Sequence, residues 1–401
     1  MQLKANMKKP ARQRSHRAGP STPRAGLKGA GTVVLAALAL PGVWSGPAHA
    51  QGAPEKGTFA IKHLYYQDSQ PGLKRVTVNS PSVFVLVPVG KDVAIEGSLV
   101  LDTLSGATPR WQSSISSASR MSEERTAGDI KITRYFDRSS YSVGLSHSTE
   151  HDYVSTALSL NGSWSTADNN TTVNIGIGGS KDRINPTNGG FAGVRDEHKN
   201  SNDLIVGVTQ ALSKNDLVQM NVTYTQGQGY FSDPYKTLDN RPRLRKQAAM
   251  LARWNHFNEG DGSTFKASYR FYQDSYGIKA NTFQGEWVKP VNEQLTMTPL
   301  LRYYSQSAAR FYTDAIYDTS GFPVFPPIVP GQLNSGDQRL SAFGAVTVGL
   351  KADYKLTPDW SVDGKLEAYE QRANWRMGGQ GSIGLDPFRA YFVQLGASYK
   401  F

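Results

Sequence analysis

The sequence predicts an all-β fold: an antiparallel transmembrane β-barrel of about 16 strands, with 14 to 18 possible, short periplasmic turns and long extracellular loops. Three observations predict it. From Thr58 to Phe401 apolar and polar residues alternate with period two, and helical periodicity is almost absent. The alternating segments reach roughly ten residues or more, the length a tilted strand needs to cross a bilayer, where sandwich strands are usually shorter. The connections alternate between tight turns and long irregular stretches.

The chain has 401 residues, no cysteine and a formal charge of +11. A basic chain of this kind invites a nucleic-acid reading, but the excess charge is confined to one end. Eight cations and no acids fall among the first fifty residues (Lys4, Lys8, Lys9, Arg12, Arg14, Arg17, Arg24, Lys28), leaving 36 basic against 33 acidic residues in the rest. Nucleic acid is therefore not an expected partner. The same fifty residues carry the parts of a secretory signal: a basic stretch, an apolar run from Gly31 to Leu40 and the small triplet Ala48-His49-Ala50. Residues 1–50 are expected to be removed, leaving 51–401 as one barrel domain. The apolar run is too short to span a bilayer as a helix. With no cysteine, no disulfide framework holds the chain in an oxidising compartment, so the sheet itself must.

The expected strands are 58–67, 72–88, 92–104, 129–137, 140–149, 152–165, 170–181, 202–213, 216–229, 243–257, 263–274, 277–290, 294–306, 338–355, 359–371 and 388–401. Segment 129–137 is weakly patterned, and Pro81 and Pro88 interrupt the second strand. Short turns fall at Gly90 to Asp92, Asp137 to Ser139, Ala167 to Asn169, Ser213 to Asn215, Glu259 to Gly262, Val291 to Glu293 and Thr357 to Asp359. Long loops are expected at 105–128, 181–202, 229–243, 306–338 and 373–387. The last strand is the most specific. Tyr391, Val393, Leu395, Ala397, Tyr399 and Phe401 make one apolar face, an arrangement similar to the terminal signal by which the barrel-assembly machinery recognises outer-membrane proteins.

Several stretches, spread over most of the mature chain, resemble a family of uncharacterised Gram-negative outer-membrane barrels known by a domain-of-unknown-function label. They are Asp102 to Pro109 (DTLSGATP), Ser148 to Ser155 (STEHDYVS), Asp182 to Pro186 (DRINP), Asp233 to Lys236 (DPYK) with Arg241-Pro242, Tyr269 to Ile278 (YRFYQDSYGI) and Pro299 to Tyr312 (PLLRYYSQSAARFY). Where members of that family often carry Asp-Asp-Trp, this chain has Asp274-Ser275-Tyr276. The resemblance implies the outer membrane of a Gram-negative bacterium and contact with its lipid and lipopolysaccharide. It implies no activity.

All six stretches map to upper strand ends or outer loops. Asp102, Glu150, Asp152, Asp182, Asp233 and Asp274, with Arg270, Arg302 and Arg310, are therefore candidates for a charged rim that holds an ionic ligand. Solvated acids paired to neighbouring arginines are the alternative. His147, Ser148, Glu150, His151 and Asp152 contain the parts of a hydrolase triad, but a polar hairpin tip explains them more simply, and no third metal ligand accompanies the two histidines. No phosphate-binding loop, dinucleotide fingerprint or zinc spacing occurs, so neither an enzyme nor a cofactor is expected. The loop Thr319 to Pro330 (TSGFPVFPPIVP) is expected to fold into the lumen, or to contact a partner or lipopolysaccharide.

The leading functional expectation is a channel or transporter for a small polar or ionic solute, its lumen lined by Glu96, Arg253, Lys266, Arg270, Arg302, Asp363, Lys365 and Glu367. A non-conducting scaffold or surface receptor with a loop-plugged lumen is the alternative, and an outer-membrane hydrolase a distant third. The terminal signal is testable. Replacing Tyr399 and Phe401 together with Ser is expected to lower the amount of assembled protein in the membrane and raise degradation before insertion; unchanged membrane levels would remove the basis for that reading.

Overall fold

The computed structural model describes residues 52–107, 120–187, 190, 193–236, 239–314, 316–317, 323–324, 329 and 331–401. The expected export signal and most of the Thr319 to Pro330 loop lie outside the described residues. The strands are β1 (Thr58–Gln70), β2 (Leu73–Val89), β3 (Val93–Ala107), β4 (Arg120–Tyr135), β5 (Ser139–Thr149), β6 (Tyr153–Ser165), β7 (Thr171–Ile184), β8 (Glu197–Ala211), β9 (Asp216–Gly229), β10 (Asp239–Asn240), β11 (Leu244–Asn258), β12 (Ser263–Asp274), β13 (Lys279–Pro290), β14 (Leu295–Gln306), β15 (Ile316–Tyr317), β16 (Pro323–Val324), β17 (Asn334–Ser335), β18 (Phe343–Lys355), β19 (Trp360–Arg372) and β20 (Phe388–Lys400). Sixteen of them form one closed antiparallel barrel. Two separate pairs, β10 with β17 and β15 with β16, belong to the loops.

Closure runs from Thr58 opposite Lys400 to Ser69 opposite Arg389, so β1 and β20 have no free edge. Lipid offers no hydrogen bonds, and a closed ladder is the β arrangement that satisfies every strand backbone there. The outward face carries the apolar half of each alternating pattern. Leu395 is 62% exposed and Val222 47%, as are their neighbours Leu366, Met220 and Val206 to similar degrees. In water such a surface would be an aggregation liability, whereas in hydrocarbon it is solvated. Near the turn end the outward face becomes aromatic. Tyr141 packs edge-on between Phe136 and Trp164, Trp254 meets Phe265, and Trp360 stacks on Tyr399, which stacks on Phe401. Amphipathic rings favour that depth, where one edge meets lipid and the other meets water.

The turn-end connections are short, at 90–92, 136–138, 166–170, 212–215, 259–262, 291–294 and 356–359. Gly262 adopts φ +66°, and Asp261 accepts from the Ser263 amide at 3.0 Å, which together set one such reversal. The loop end mixes lengths: 71–72, 150–152 and 275–278 are as tight as the turns, while 185–196, 230–243, 307–342 and 373–387 are long. The loop expected at 105–128 shrinks to 108–119, because β3 and β4 continue to Ala107 and Arg120. The polar run around Arg125 hides that strand from a search for alternation. Its Nε donates to Asp102 across the ladder at 2.7 Å, which supplies the pairing that an apolar face supplies elsewhere. Pro81 leaves β2 intact but interrupts its ladder to β3 between the pairs Asn79 to Thr103 and Ser82 to Val100, as a residue without an N–H must.

The lumen-facing half of the pattern is polar and largely self-paired. Lys62 of β1 reaches Asp363 of β19 at 3.4 Å over the intervening β20, where the residue in register with both is Gly396. A Cβ at Gly396 would lie 2.6 Å from the Asp363 carboxylate, so glycine is needed for that bridge. Lys131 pairs with Glu96 at 2.9 Å, Lys351 with Asp353 at 2.6 Å and Lys365 with Glu367 at 2.5 Å. On β4 to β9 the wall is instead low. Gly144, Gly176 and Gly178, with Ser159, Thr223 and Asp203, line a cavity of about 550 Å³.

Charge tolerance should follow this division. Val222→Arg or Leu395→Arg places a cation in lipid at a cost of about 2–4 kcal/mol near the midplane, while Thr223→Arg or Gln394→Arg places it in a wet lumen. The first pair is expected to lose the heat-modifiable folded band on unboiled gels, and the second pair to keep it. Equal behaviour of all four would reverse the assignment of inside and outside.

Candidate functional site at the barrel mouth

Two of the long loops converge on Asp337, a fully buried carboxylate in the β14–β18 loop. The β9–β11 loop contains Ser232-Asp233-Pro234-Tyr235-Lys236, in which Asp233 accepts from the Tyr235 amide at 3.0 Å. That tight turn aims Lys236 at Asp337, 2.7 Å away. Pairing of β10 with β17 brings Arg241 to Asp337 at 2.7 Å and to Asp239 at 2.8 Å. Arg339, two residues past Asp337, closes on it as well and lies 3.8 Å from Asp233. Three cations thus face three carboxylates, and the cluster is neutral. Burial alone would raise the Asp337 carboxyl, but Arg339, Lys236 and Arg241 outweigh it and hold the group well below the ordinary carboxylate range.

An apolar cluster seats this cluster of charges. Tyr276, Ile278, Ala309 and Leu340 are buried together, with Tyr272, Phe311 and Tyr312 packed around them. The short 275–278 loop holds Tyr276 in place because Asp274 accepts from the amides of Tyr276 and Ile278, both at 3.0 Å, while pairing with Arg245 at 2.7 Å. Arg245 lies over the Tyr276 ring, 4.6 Å from its centre, and the Tyr276 hydroxyl donates to the Pro242 carbonyl at 2.9 Å. Burial pushes that phenol up to about 12, with Arg245 and Arg241 pulling against it.

Further contacts extend the assembly over the mouth. The Ser382 amide donates to the Ala342 carbonyl at 2.8 Å, which ties in the 373–387 loop. On the far side Tyr235 donates to Asp152 at 2.6 Å and accepts from the Thr187 amide at 2.9 Å, reaching the loops after β5 and β7. Burial and the Asp152 bond push the Tyr235 phenol up, so it remains a donor. Asp337 and Arg339 also act electrostatically on Arg75 beside the 71–72 turn.

The rim candidates divide under this geometry. Asp152, Asp233 and Asp274 belong to the loop assembly. Asp182 supports it from the top of β7, accepting from Tyr153 at 2.5 Å, Ser155 at 2.7 Å and Lys199 at 2.9 Å. Asp102 is buried against Arg125, apart from the others. Glu150 caps the 150–152 turn through its amide, which donates to the Tyr153 carbonyl. Arg310 donates to the Ser275 carbonyl at 2.5 Å. Arg270 and Arg302 are not at the mouth: each lies four residues inside its strand's loop end, on the lumen face, and Arg302 is 3.8 Å from Glu367. The expectation of one ring is corrected there, because the strands continue beyond both arginines. His147 faces outward and contacts Thr156 at 2.9 Å, whereas Asp152 is buried. Among the described residues no three His, Asp or Glu side chains are placed to hold a metal ion. Asp337, Asp239 and Arg339 escaped the sequence reading. Their local pairs, Asp239 with Arg241 and Arg339 with Asp337, are ordinary loop neighbours in the sequence, and the contact that gathers them, Arg241 to Asp337, spans 96 residues.

A closed sixteen-stranded barrel, apolar outside and polar inside, with its loops laced over one end, is a transmembrane β-barrel of the kind found in Gram-negative outer membranes. The chain belongs to the family described as "Protein of unknown function (DUF3570)", whose pattern matches residues 117–392. No curated protein matches it. Similar solved structures include a bacterial polysaccharide outer membrane secretin (9% identity, TM-score 0.46, covering 86% of this chain and 98% of that one). A Pseudomonas aeruginosa FadL homologue is similar at 12% identity and TM-score 0.41, covering 86% and 89%. Pseudomonas aeruginosa OccK2 (OpdF), solved in complex with glucuronate, is similar at 8% identity and TM-score 0.43, covering 86% and 98%.

Removing one charge from the cluster leaves the others buried and unbalanced, at a cost of about 3–5 kcal/mol. Asp337→Asn is therefore expected to speed protease cleavage within 230–243 and 331–342 while the barrel band persists. Because the folded Asp337 value lies below its unfolded one, its stabilisation is present above about pH 4 and lost as pH falls through the depressed value. Wild-type loops should become cleavable by an acid protease only in strong acid, and equal cleavage of both proteins at neutral pH would show that Asp337 does not hold them.

Proposed function

We propose that this barrel sits in the outer membrane of a Gram-negative bacterium and passes small polar or ionic solutes, with the loop assembly as the barrier at its outer mouth. The observation that carries this is the low, glycine-lined wall of β4 to β9, which leaves a cavity of about 550 Å³ inside the barrel. Sixteen strands enclose enough space for a water-filled lumen unless loops fill it. Side chains or loops that served only to fill the bore would occupy this wall too.

The second reading, a non-conducting receptor or scaffold, draws on one specific observation: the loop contacts across the mouth are buried and charge-balanced around Asp337. A hydrolase reading finds less support, since His147 is exposed on β5 while Asp152 is buried in the 150–152 turn. Planar-bilayer recordings separate the first two. The channel reading expects discrete conductance steps from the purified protein, and larger or more frequent steps from Asp337→Asn. Silence from both proteins, with folded barrel confirmed, would leave the receptor reading standing.

A further inference from the structure

The barrel pairs most of its lumen cations with carboxylates; apart from Lys355 and Lys400 at the turn ends of their strands, the exceptions among the described residues are adjacent. Lys62, Lys131, Lys351 and Lys365 each have a carboxylate within 4 Å, as do Arg125 and Arg302. Arg253 of β11 and Lys266 and Arg270 of β12 have none. In the β11–β12 ladder Arg253 stands opposite Ser268, so Lys266 and Arg270 flank it on the same face. Diagonal neighbours in such a ladder are about 7–8 Å apart, within reach of one another's long side chains. That face is the lumen, because the intervening Trp254 and Phe265 are exposed on the outside.

What the three do touch is neutral. Arg253 donates to the Gln219 side-chain oxygen at 3.1 Å, and Arg270 lies over the Tyr272 ring at 5.4 Å. Lys266 stands across from Glu286, but they form no ion pair, and Glu286 accepts from Gln284 at 2.5 Å. Asp203 of β8 lies six residues along its strand from Thr209, the residue in line with Arg253, so it does not balance the group. Three like charges side by side, with Glu286 in register beside Lys266, leave a net positive patch in which the cations repel one another, and a mobile anion relieves that repulsion. Two planar guanidinium forks also match the bidentate geometry of carboxylates and phosphates.

We propose that Arg253, Lys266 and Arg270 form a lumenal binding site for small oxyanions carrying two or more negative charges. The inference deepens the channel reading, and rests on it for the solute's access to the lumen. The site lies three to seven residues above the turn end of its strands, below the loop assembly, so a solute meets it after passing the mouth.

The test uses the full purified chain with citrate, inorganic phosphate and chloride as probes at constant ionic strength. Binding is read from ligand-dependent shifts of the thermal unfolding midpoint, and ion preference from the reversal potential under a potassium chloride gradient. The wild type should bind citrate or phosphate in preference to chloride. The combined variant Arg253→Gln, Lys266→Gln, Arg270→Gln should bind at least about tenfold more weakly. Lys351→Gln, which removes a paired cation, should change binding by less than about twofold. Arg270→Lys should restore most of the loss seen in Arg270→Gln, which distinguishes charge from folding defects. Citrate and phosphate binding that is absent, or untouched by the triple change, overturns the site. Loss of binding in the variant with no conductance from any protein keeps the site and removes the channel; conductance without anion preference or binding does the reverse.

Discussion

Closure of the sheet between β1 and β20 is the contact on which the rest of the molecule depends. An open sixteen-stranded sheet would leave two rows of unpaired backbone groups, each costing several kcal/mol in hydrocarbon. The twelve register pairs from Thr58–Lys400 to Ser69–Arg389 remove both rows at once. Side chains reinforce the seam on both of its faces. Outside, Phe401 stacks on Tyr399 and Tyr399 on Trp360; inside, Lys62 bridges to Asp363 over the gap left by Gly396.

Closure also creates a division that no single strand possesses. Once the ladder is a ring, alternate residues face either lipid or a confined aqueous lumen, and a charge is acceptable on one side only. The lumen then becomes a place where carboxylates and cations from different strands meet at short range. Their pairing reduces the desolvation each would suffer alone. Against that background an unpaired group stands out as information, which a solvent-exposed lysine on a soluble protein would not.

These layers were unequally legible in the sequence. The sixteen strands could be read because period-two alternation is a local property, and most boundaries fall within a few residues of those seen. The segment 120–128 could not, since its strand character comes from pairing with β3 through Asp102 and Arg125 rather than from its own pattern. The placement of Asp152, Asp182, Asp233 and Asp274 near the loop end followed from strand polarity alone. Asp337 was invisible for a different reason: its three cations come from two loops that only closure brings together. The sequence reading places Arg270 and Arg302 both in the lumen lining and in the rim, and only the first placement holds, because a motif-like stretch that ends at the mouth also extends down its strand.

The loop assembly draws its strength from within itself more than from the wall. Asp337, Asp239 and Asp233 balance Lys236, Arg241 and Arg339 without borrowing a charge from any barrel strand. Its links to the far side include the Tyr235 bonds to the Asp152 carboxylate and from the Thr187 amide. A hydrogen bond to a carboxylate is worth about 1.5–3 kcal/mol net, whereas uncovering one member of a buried charge pair costs about 3–5 kcal/mol. The Tyr235 bonds reach the side of the barrel where glycines keep the lumen wall low and the cavity lies, so the charged cluster and the cavity are joined through Tyr235.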